Sequence, residues 1–338
     1  MGQNIQVGVI GAGAWGTTLA WLLGTKGFPV TLWAYEPEVV DSINQNRTNQ
    51  LYLPNISLPT TIRATGSVKE AVTGANIVVM VTPSHVLRNV ATQVQASLPA
   101  GASLVVATKG IEEETLLLAT QVLEAVMTPA CRRRLAVLSG PSFASEVCQG
   151  HPTAVVLAGE DAALVKRLQE VFLTPQFRVY AGEDVVGVQL GGALKNVIAL
   201  ATGVVEGLGL GHNTRAALIT RGLTEMVRLG QAMGAAPHTF YGLSGVGDLV
   251  LTCTGAQSRN RSVGVRLGQG ASLEAILKET RTVAEGVRTA AAACGLARRF
   301  EIEMPIMREV SAVLFEGKAP REAVRQLMER AAREETTR

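Results

Sequence analysis

The sequence predicts an α/β domain built on a parallel sheet, followed by an all-α domain, and three observations predict it. A short apolar run, Ile5 to Ile10, passes through a glycine turn, Gly11 to Gly16, into a segment with helical apolar spacing. Further short β-branched runs alternate with helical patterns as far as Tyr180. From about Asp184 strand patterns cease, and helical patterns continue. A chain of 338 residues is long enough for two cores, so we read residues 1–183 as one domain and 184–338 as the second.

The first strand, Ile5 to Ile10, is apolar apart from Gln6 near its start, as suits a strand covered on both faces. Gly11, Gly13 and Gly16 fall on the G-x-G-x-x-G spacing, helical spacing follows from Thr17 to Gly27, and a second strand runs from Pro29 to Trp33. In such a unit the first glycine turns the chain tightly and the second removes a Cβ where a pyrophosphate approaches the backbone. The third permits close packing of helix on sheet. The pyrophosphate rests on the free N–H groups of the helix start. The glycine spacing alone is a weak signal, but the flanking strand, helix and second strand make this a Rossmann-type dinucleotide-binding unit.

The later strands share one property. Ile77 to Val81 ends in Thr82-Pro83-Ser84-His85, Leu104 to Ala107 in Thr108-Lys109-Gly110, and Leu135 to Leu138 in Ser139-Gly140-Pro141-Ser142. Helical patterns, Val86 to Leu98 and Thr115 to Met127, lie between them. Thr153 to Ala158 and Phe177 to Tyr180 flank the helix-like Ala162 to Phe172 and complete the sheet. Ligands of open α/β sheets bind beyond the carboxyl ends of strands, so Gly11, Pro83, Lys109 and Ser142 are expected on one crevice.

The second domain is expected to hold helices at Val185 to Leu208, Thr214 to Met233, Asp248 to Thr254, Arg261 to Leu267 and Leu273 to Lys278. Three more are expected at Val283 to Cys294, Met304 to Phe315 and Pro320 to Glu334, with Gly234, Gly270 and Gly295 as stops. They should form a compact unit docked at the ligand edge of the sheet.

Composition excludes several classes. With 47% hydrophobic and 17% charged residues the chain is an ordinary globular one, and a net charge of +3 with scattered basic residues points to no nucleic-acid surface. The Arg132 to Arg134 triplet reads as a solvated turn. Cys131, Cys148, Cys253 and Cys294 are widely spaced and the four histidines are scattered, so neither a zinc site nor a disulfide framework is indicated. No basic segment followed by a long apolar run opens the chain, and no unbroken apolar stretch approaches the ~20 residues of a membrane span. The expectation is a cytoplasmic protein without a membrane span, whose apolar helical domain suits a homodimer.

Lys195 carries the strongest chemical signal. The segment from Val186 to Leu210 is almost wholly apolar, and Lys195 with Asn196 interrupts it midway. Burial there disfavours the ammonium and lowers its pKa, giving a group able to pass a proton near neutral pH; the alternative is a lysine that snorkels to the surface. Gly191 and Gly192 remove bulk beside the amine, which suits approach of a cofactor or substrate. Lys109, in a strand-end glycine turn, could orient a substrate oxygen or neutralise phosphate, or be a simple exposed turn lysine. Gly242 to Thr254 reads as a glycine turn opening a helix, with Asp248 at its start as an N-cap, a partner for Lys195, or both, and Thr252 one turn further on the same face. Ser258-Arg259-Asn260-Arg261 offers hydroxyl, guanidinium, amide and guanidinium where another helix begins, which suits phosphate or a solvated turn.

Eight stretches together resemble one family. They are GAGAWG at Gly11 to Gly16, VTPSH at Val81 to His85, ATKG at Ala107 to Gly110, SGPSFA at Ser139 to Ala144 and GVQLGGALKNVIA at Gly187 to Ala199. The others are NTRAALITRGL at Asn213 to Leu223, GVGDLVLTC at Gly245 to Cys253 and QSRNR at Gln257 to Arg261. In this order, over nearly the whole chain, they resemble the bacterial NAD(P)-dependent glycerol-3-phosphate dehydrogenases of phospholipid synthesis. The resemblance implies reversible hydride transfer between the nicotinamide of NAD or NADP and C2 of dihydroxyacetone phosphate. It makes Lys195 the general acid/base, with Asp248 and Lys109 arranging charge around the C2 oxygen. It places Ser258, Arg259 and Asn260 at the substrate phosphate and Gly140 and Ser142 on the substrate-lining loop, with Asn196 and Thr252 also on the substrate side. Ala14, Trp15, Tyr35, Lys109, Ala144, Arg259, Val283 and Glu285 fall at cofactor positions, beside Gly11, Gly13 and Gly16.

Two departures from the family pattern bear on the cofactor. Ala14 stands where a serine is frequent, removing a hydroxyl near the pyrophosphate. The second strand ends in Ala34-Tyr35-Glu36 rather than near an arginine or histidine, and Glu36, about 20 residues beyond Gly16, is spaced for an acid on the ribose diol of NAD. If it points to solvent instead, it decides nothing, so the preference between NAD and NADP stays open at this level. The alternatives are a related dehydrogenase acting on a carboxylate, such as a β-hydroxyacid dehydrogenase or ketopantoate reductase, and a dinucleotide sensor without catalysis.

Overall fold

Strands of uniformly buried residues organise the first half of the chain, in a computed structural model that describes residues 5–279, 284–331 and 334. Val7–Ile10 (β1) leads into Ala14–Thr25 (α1), Val30–Trp33 (β2), Pro37–Asn46 (α2), Ile62–Thr65 (β3) and Val68–Val72 (α3). Ile77–Met80 (β4), Leu87–Gln95 (α4), Ser103–Val106 (β5), Ala119–Val126 (α5) and Leu135–Ser139 (β6) follow. Ala144–Cys148 (α6), Thr153–Ala158 (β7), Ala162–Phe172 (α7) and Phe177–Gly182 (β8) close the sheet, whose order is β3-β2-β1-β4-β5-β6-β7-β8. The order reverses at β1, which pairs in parallel with both β2 and β4, so the crevice expected of such sheets opens beyond Ile10 and Met80. One apolar cluster packs α1, α2 and α7 against the sheet and a second packs α3, α4 and α5 on the other face.

Two sheet features differ from the sequence expectation. The strand β3 was hidden because Arg63 interrupts its apolar run and a long segment precedes it. The sheet is also not parallel throughout, since β6 and β7 are antiparallel while β7 and β8 are parallel. The connection after β6 contains only the five-residue α6, too little to carry the chain back across the sheet, so β7 enters from the ligand edge and runs the other way. This reversal matters for function. It delivers β8 to the far edge, from which Val185–Gly207 (α8) runs back and brings Lys195 about 15 Å along at 1.5 Å per residue.

The helical half is built on α8. Around it stand His212–Ala232 (α9), Asp248–Thr254 (α10), Arg259–Gly268 (α11), Leu273–Glu279 (α12), Glu285–Arg299 (α13), Pro305–Phe315 (α14) and Pro320–Met328 (α15). The expected helix from Val283 begins at Glu285, with Val283 itself outside the described residues, and the last ends at Met328, where apolar spacing gives out. By length and composition α8 could cross a membrane, with mean hydropathy 1.4, but 89% of that window is buried inside the protein, which makes it the core helix. It meets α11 backbone to backbone: a Cβ on Gly203 would lie 2.1 Å from the Arg261 carbonyl oxygen, and one on Gly264 2.2 Å from that of Leu200. That close crossing sets the start of α11 beside the middle of α8.

Candidate active site

The glycine turn is shaped to hold an anion. Gly11 has φ +119°, and a Cβ there would sit 2.9 Å from the Val81 carbonyl oxygen. A Cβ on Gly16 would lie 1.8 Å from the Gly11 carbonyl oxygen, whereas one on Gly13 would meet nothing within 4 Å. Gly13 is therefore the open side, at the N-cap of α1, where neither a side-chain cap nor a first-turn acid occupies the N–H groups of Ala14, Trp15 and Gly16. Asn49, which the sequence gave no reason to select, locks the turn by donating to the Ala12 carbonyl and to Thr17 Oγ1, each at 2.8 Å. This cradle fits a dinucleotide pyrophosphate. Gly16→Ala is expected to push Gly11 out of place, costing about 1–3 kcal/mol of stability and weakening NADH binding at least about tenfold, measured by thermal melting and dinucleotide titration. Unchanged affinity would mean that the turn does not hold the dinucleotide.

The other cofactor candidates are placed unevenly. The Trp15 ring packs on Phe177 with centroids 6.5 Å apart, and its Nε1 is buried with no hydrogen-bond partner among the described residues. Tyr35 stands 81% exposed beyond β2. Ala144 opens α6, and its carbonyl accepts from Thr18 Oγ1 at 3.3 Å, joining α6 to α1.

Lys195, Lys109 and Asp248 meet at one point. Asp248 is 1% exposed, with one carboxylate oxygen accepting from Lys195 Nζ and the other from Lys109 Nζ at 2.7 Å. Asp248 is the first residue of α10 and caps nothing; its side chain turns to the lysines. Lys195 also donates to Thr252 Oγ1 at 2.9 Å, which in turn donates to the Asp248 carbonyl at 2.6 Å. Burial outweighs the Asp248 carboxylate and brings the Lys195 amine down to about 7, with Lys109 acting in the same direction as burial. Lys109 lies in the turn after β5 and reaches the Gly140 carbonyl at 3.4 Å, which also accepts from Ser142 Oγ at 3.0 Å. The expected convergence of strand-end turns is thus present. The glycines beside Lys195 have another purpose from the one expected, since a Cβ on Gly191 would strike the Ser244 carbonyl oxygen at 2.3 Å and one on Gly192 Ser139 Oγ at 2.7 Å. They let the neighbouring turns close on α8 rather than leave room for a ligand.

The basic cluster divides. Ser258 caps α11, accepting from the Arg261 N–H at 3.2 Å, and Arg261 turns away to grip Glu206 at 2.9 and 2.5 Å. Asn260 donates to Asn196 Oδ1 at 3.0 Å and accepts from the Gly286 N–H at 2.9 Å, while Asn196 reaches back to the Gly192 carbonyl at 3.4 Å. The two amides thus brace α8, α11 and α13 together. Arg259 alone keeps its guanidinium open to solvent in the cleft, where the surrounding protein holds its pKa below the usual value and Glu285 and Tyr52 oppose that shift. Glu285 is itself pushed up by burial, and accepts from Ser84 Oγ at 2.7 Å and the Ser84 N–H at 3.2 Å, tying α13 to the turn after β4. Ser84 was not singled out from sequence, because its role depends on an acid 201 residues away.

Comparison with known proteins places the chain in a family. Family models described as the NAD-dependent glycerol-3-phosphate dehydrogenase N-terminus and C-terminus match residues 6–165 and 184–325. A protein of Geobacter metallireducens named glycerol-3-phosphate dehydrogenase [NAD(P)+] is 57% identical over 330 residues, covering 98% of each chain. The crystal structure of glycerol-3-phosphate dehydrogenase from Coxiella burnetii superposes with a TM-score of 0.92 at 39% identity, covering 97% of this chain and 100% of the other. A ketopantoate reductase structure from Ralstonia eutropha, 15% identical with a TM-score of 0.63 over 95% of this chain and all of the other, shares the fold alone. With both family models in register and relatives above half identity along its length, the chain belongs to the NAD-dependent glycerol-3-phosphate dehydrogenase family.

Proposed function

We propose that this chain reduces dihydroxyacetone phosphate to sn-glycerol 3-phosphate with NAD(P)H, reversibly, for glycerophospholipid synthesis. The observation that carries the reading is the buried Lys195 amine, paired with Asp248 opposite Lys109 on the cleft that also holds the glycine cradle. The nicotinamide, when bound, supplies the hydride. As C2 becomes tetrahedral its oxygen gathers negative charge, and protonated Lys195 delivers the proton to it. Asp248 holds the ammonium and fixes its direction, with Thr252 taking a second hydrogen. Lys109 supplies a second positive charge beside the developing oxyanion, and Gly140 and Ser142 line the same pocket. In the reverse direction neutral Lys195 takes the proton from the C2 hydroxyl.

The substrate phosphate is assigned to Arg259, the cluster's open guanidinium, with the α11 N-terminus and the Asn260 and Asn196 amides beside it. Arg259→Ala is expected to lower kcat/KM for dihydroxyacetone phosphate by about 10²-fold, chiefly through KM. If the loss falls equally on a substrate analogue lacking phosphate, Arg259 does not read that group. The reading as a whole is tested by following NADH and NADPH oxidation with dihydroxyacetone phosphate and with 2-keto acids. Oxidation with neither coenzyme, or only with the keto acids, overturns it.

We further propose a functional division at 183/184, a cytoplasmic location and a homodimer. The division rests on the change from sheet to helices between β8 and α8, the location on free cysteines with no disulfide among the described residues, and the homodimer on the exposed apolar Tyr241, Val250, Leu277 and Phe315 of the helical half.

A further inference from the structure

We infer that Leu116 is a positioning residue for the reaction: seated in a notch at Gly295 of α13, it fixes the turn that presents Lys109 to Asp248. The inference rests on the dehydrogenase reading above and adds to it a residue that acts through Lys109. Leu116 stands out by its backbone. Its φ is +61°, in the left-handed region that crowds a side chain, and a leucine persists there only where its surroundings hold it. What holds it is α13. A Cβ on Gly295 would lie 2.9 and 3.0 Å from the two terminal carbons of Leu116, so the absent side chain makes the notch that the leucine enters. The loop around it is closed on itself and sunk into the helical half. Ile111 and Leu118 face each other in an antiparallel bridge, and both lie buried in the apolar cluster of the helical half although they follow β5. Between them the Leu116 N–H donates to the Glu112 carbonyl at 2.9 Å, and Arg88 of α4 grips the Glu112 carboxylate at 3.0 and 2.7 Å. From α13, Arg299 donates to the Thr115 carbonyl at 3.3 Å and Arg288 to Glu113 at 3.1 Å.

From this loop the path runs to both lysines. Lys109 stands at its entry, two residues before Ile111. On the other side α13 lies against α8, where a Cβ on Gly286 would sit 2.5 Å from the Asn196 carbonyl oxygen, next to Lys195. The leucine in its notch thus sets how far the lysine of the sheet stands from the helix that carries the other. Asp248 bonds both only while that span is kept. Of the charged groups acting on Lys195, Asp248 of α10 supports its charge and Lys109 opposes it, while burial pushes the neighbouring Cys253 thiol up to about 12 and keeps it neutral. A loosened loop lets Lys109 withdraw, and the Lys195 amine then becomes more basic.

The test is steady-state reduction of dihydroxyacetone phosphate by NADH across pH, with thermal melting of each variant. Leu116→Gly removes the hook but accepts the left-handed backbone, so the fold is expected to survive. It should lower kcat about tenfold, leave the KM for NADH within about twofold, and move the inflection near 7 upward by at least about half a pH unit. Leu116→Met refills the notch and should keep kcat within about twofold of wild type. Gly295→Ala favours the helix while pushing the leucine out, so kcat should fall about threefold with no loss of melting temperature, and this variant decides the matter if Leu116→Gly does not fold. Wild-type kcat with an unmoved inflection in the variants that fold, or a loss confined to the KM for NADH, overturns the inference. Should the wild type reduce no dihydroxyacetone phosphate, the reaction is wrong, and a lysine-selective NMR titration of the Lys195 amine still decides the hook: a more basic amine in Leu116→Gly supports it and an unmoved one sinks it.

Discussion

Lys195→Ala is expected to lower kcat for dihydroxyacetone phosphate reduction by about 10³-fold while dinucleotide affinity stays within a few-fold. General acid catalysis contributes on the order of 10²–10⁴, and the amine makes its contacts with Asp248 and Thr252 rather than with the glycine cradle. The pH dependence gives the sharper signature. With the amine brought down to about 7, ketone reduction needs its charged form and should fall as pH rises through about 7. Alcohol oxidation needs the neutral amine and should rise over the same interval, and both inflections should vanish in the variant. A variant that kept wild-type turnover, or lost dinucleotide binding with it, would remove Lys195 from the chemistry.

The same depressed value leaves a mark on stability. Between about 7 in the folded chain and ~10.4 in the unfolded one, the unfolded state binds the extra proton. Lys195 thus contributes stability that is complete above ~10.4 and lost as pH falls toward about 7. Lys195→Met should flatten that slope in denaturant titrations across this window. A slope equal to wild type would mean that the amine is not desolvated.

Asp248→Ala should do the largest damage to the molecule as a whole. Its carboxylate lies between two ammonium groups, and removing one partner of a buried ion pair costs about 3–5 kcal/mol because the remaining charge stays uncompensated. Here Lys195 is the exposed party to that loss, being 6% accessible with Thr252 as its other partner. Lys109, with its side chain 20% accessible and the Gly140 carbonyl beside it, can recover water. Activity should fall at least about 10²-fold, and the pH inflection assigned to Lys195 should move down, since the carboxylate that supports its charge is gone. Asp248→Asn separates the two effects. It preserves shape, so its melting temperature should recover much of the loss while the inflection stays low. Recovery of activity to wild type in Asp248→Asn would show that the carboxylate only fills space.

Much of the site was legible as residue types. A lysine in the middle of an otherwise apolar helix has few structural uses, and Lys195 does lie buried beside Asp248. Strand-end turns of a doubly wound sheet have to share an edge, so Lys109, Gly140 and Ser142 could be grouped before any coordinates. The Ser258–Arg261 cluster is less legible. Four polar residues in a row look alike on paper, but the first caps α11, the last is drawn off by Glu206, and Asn260 braces Asn196. Only their direction around the helix separates them, and that is fixed by the glycine crossing of α8 and α11.

What the sequence determined by itself was local: short continuous apolar strand runs, helical apolar spacing, a glycine turn that tolerates φ above zero, and a lysine in the middle of an apolar helix. These follow from backbone sterics and side-chain burial, which neighbouring residues alone settle. The tertiary structure decided the contacts between distant segments: the reversal at β7, the grip of Glu285 on Ser84, the bracket from Ala12 through Asn49 and Tyr52 to Glu36. Each joins groups tens to hundreds of residues apart, so it exists only once the chain has packed and placed a donor within hydrogen-bond reach of an acceptor.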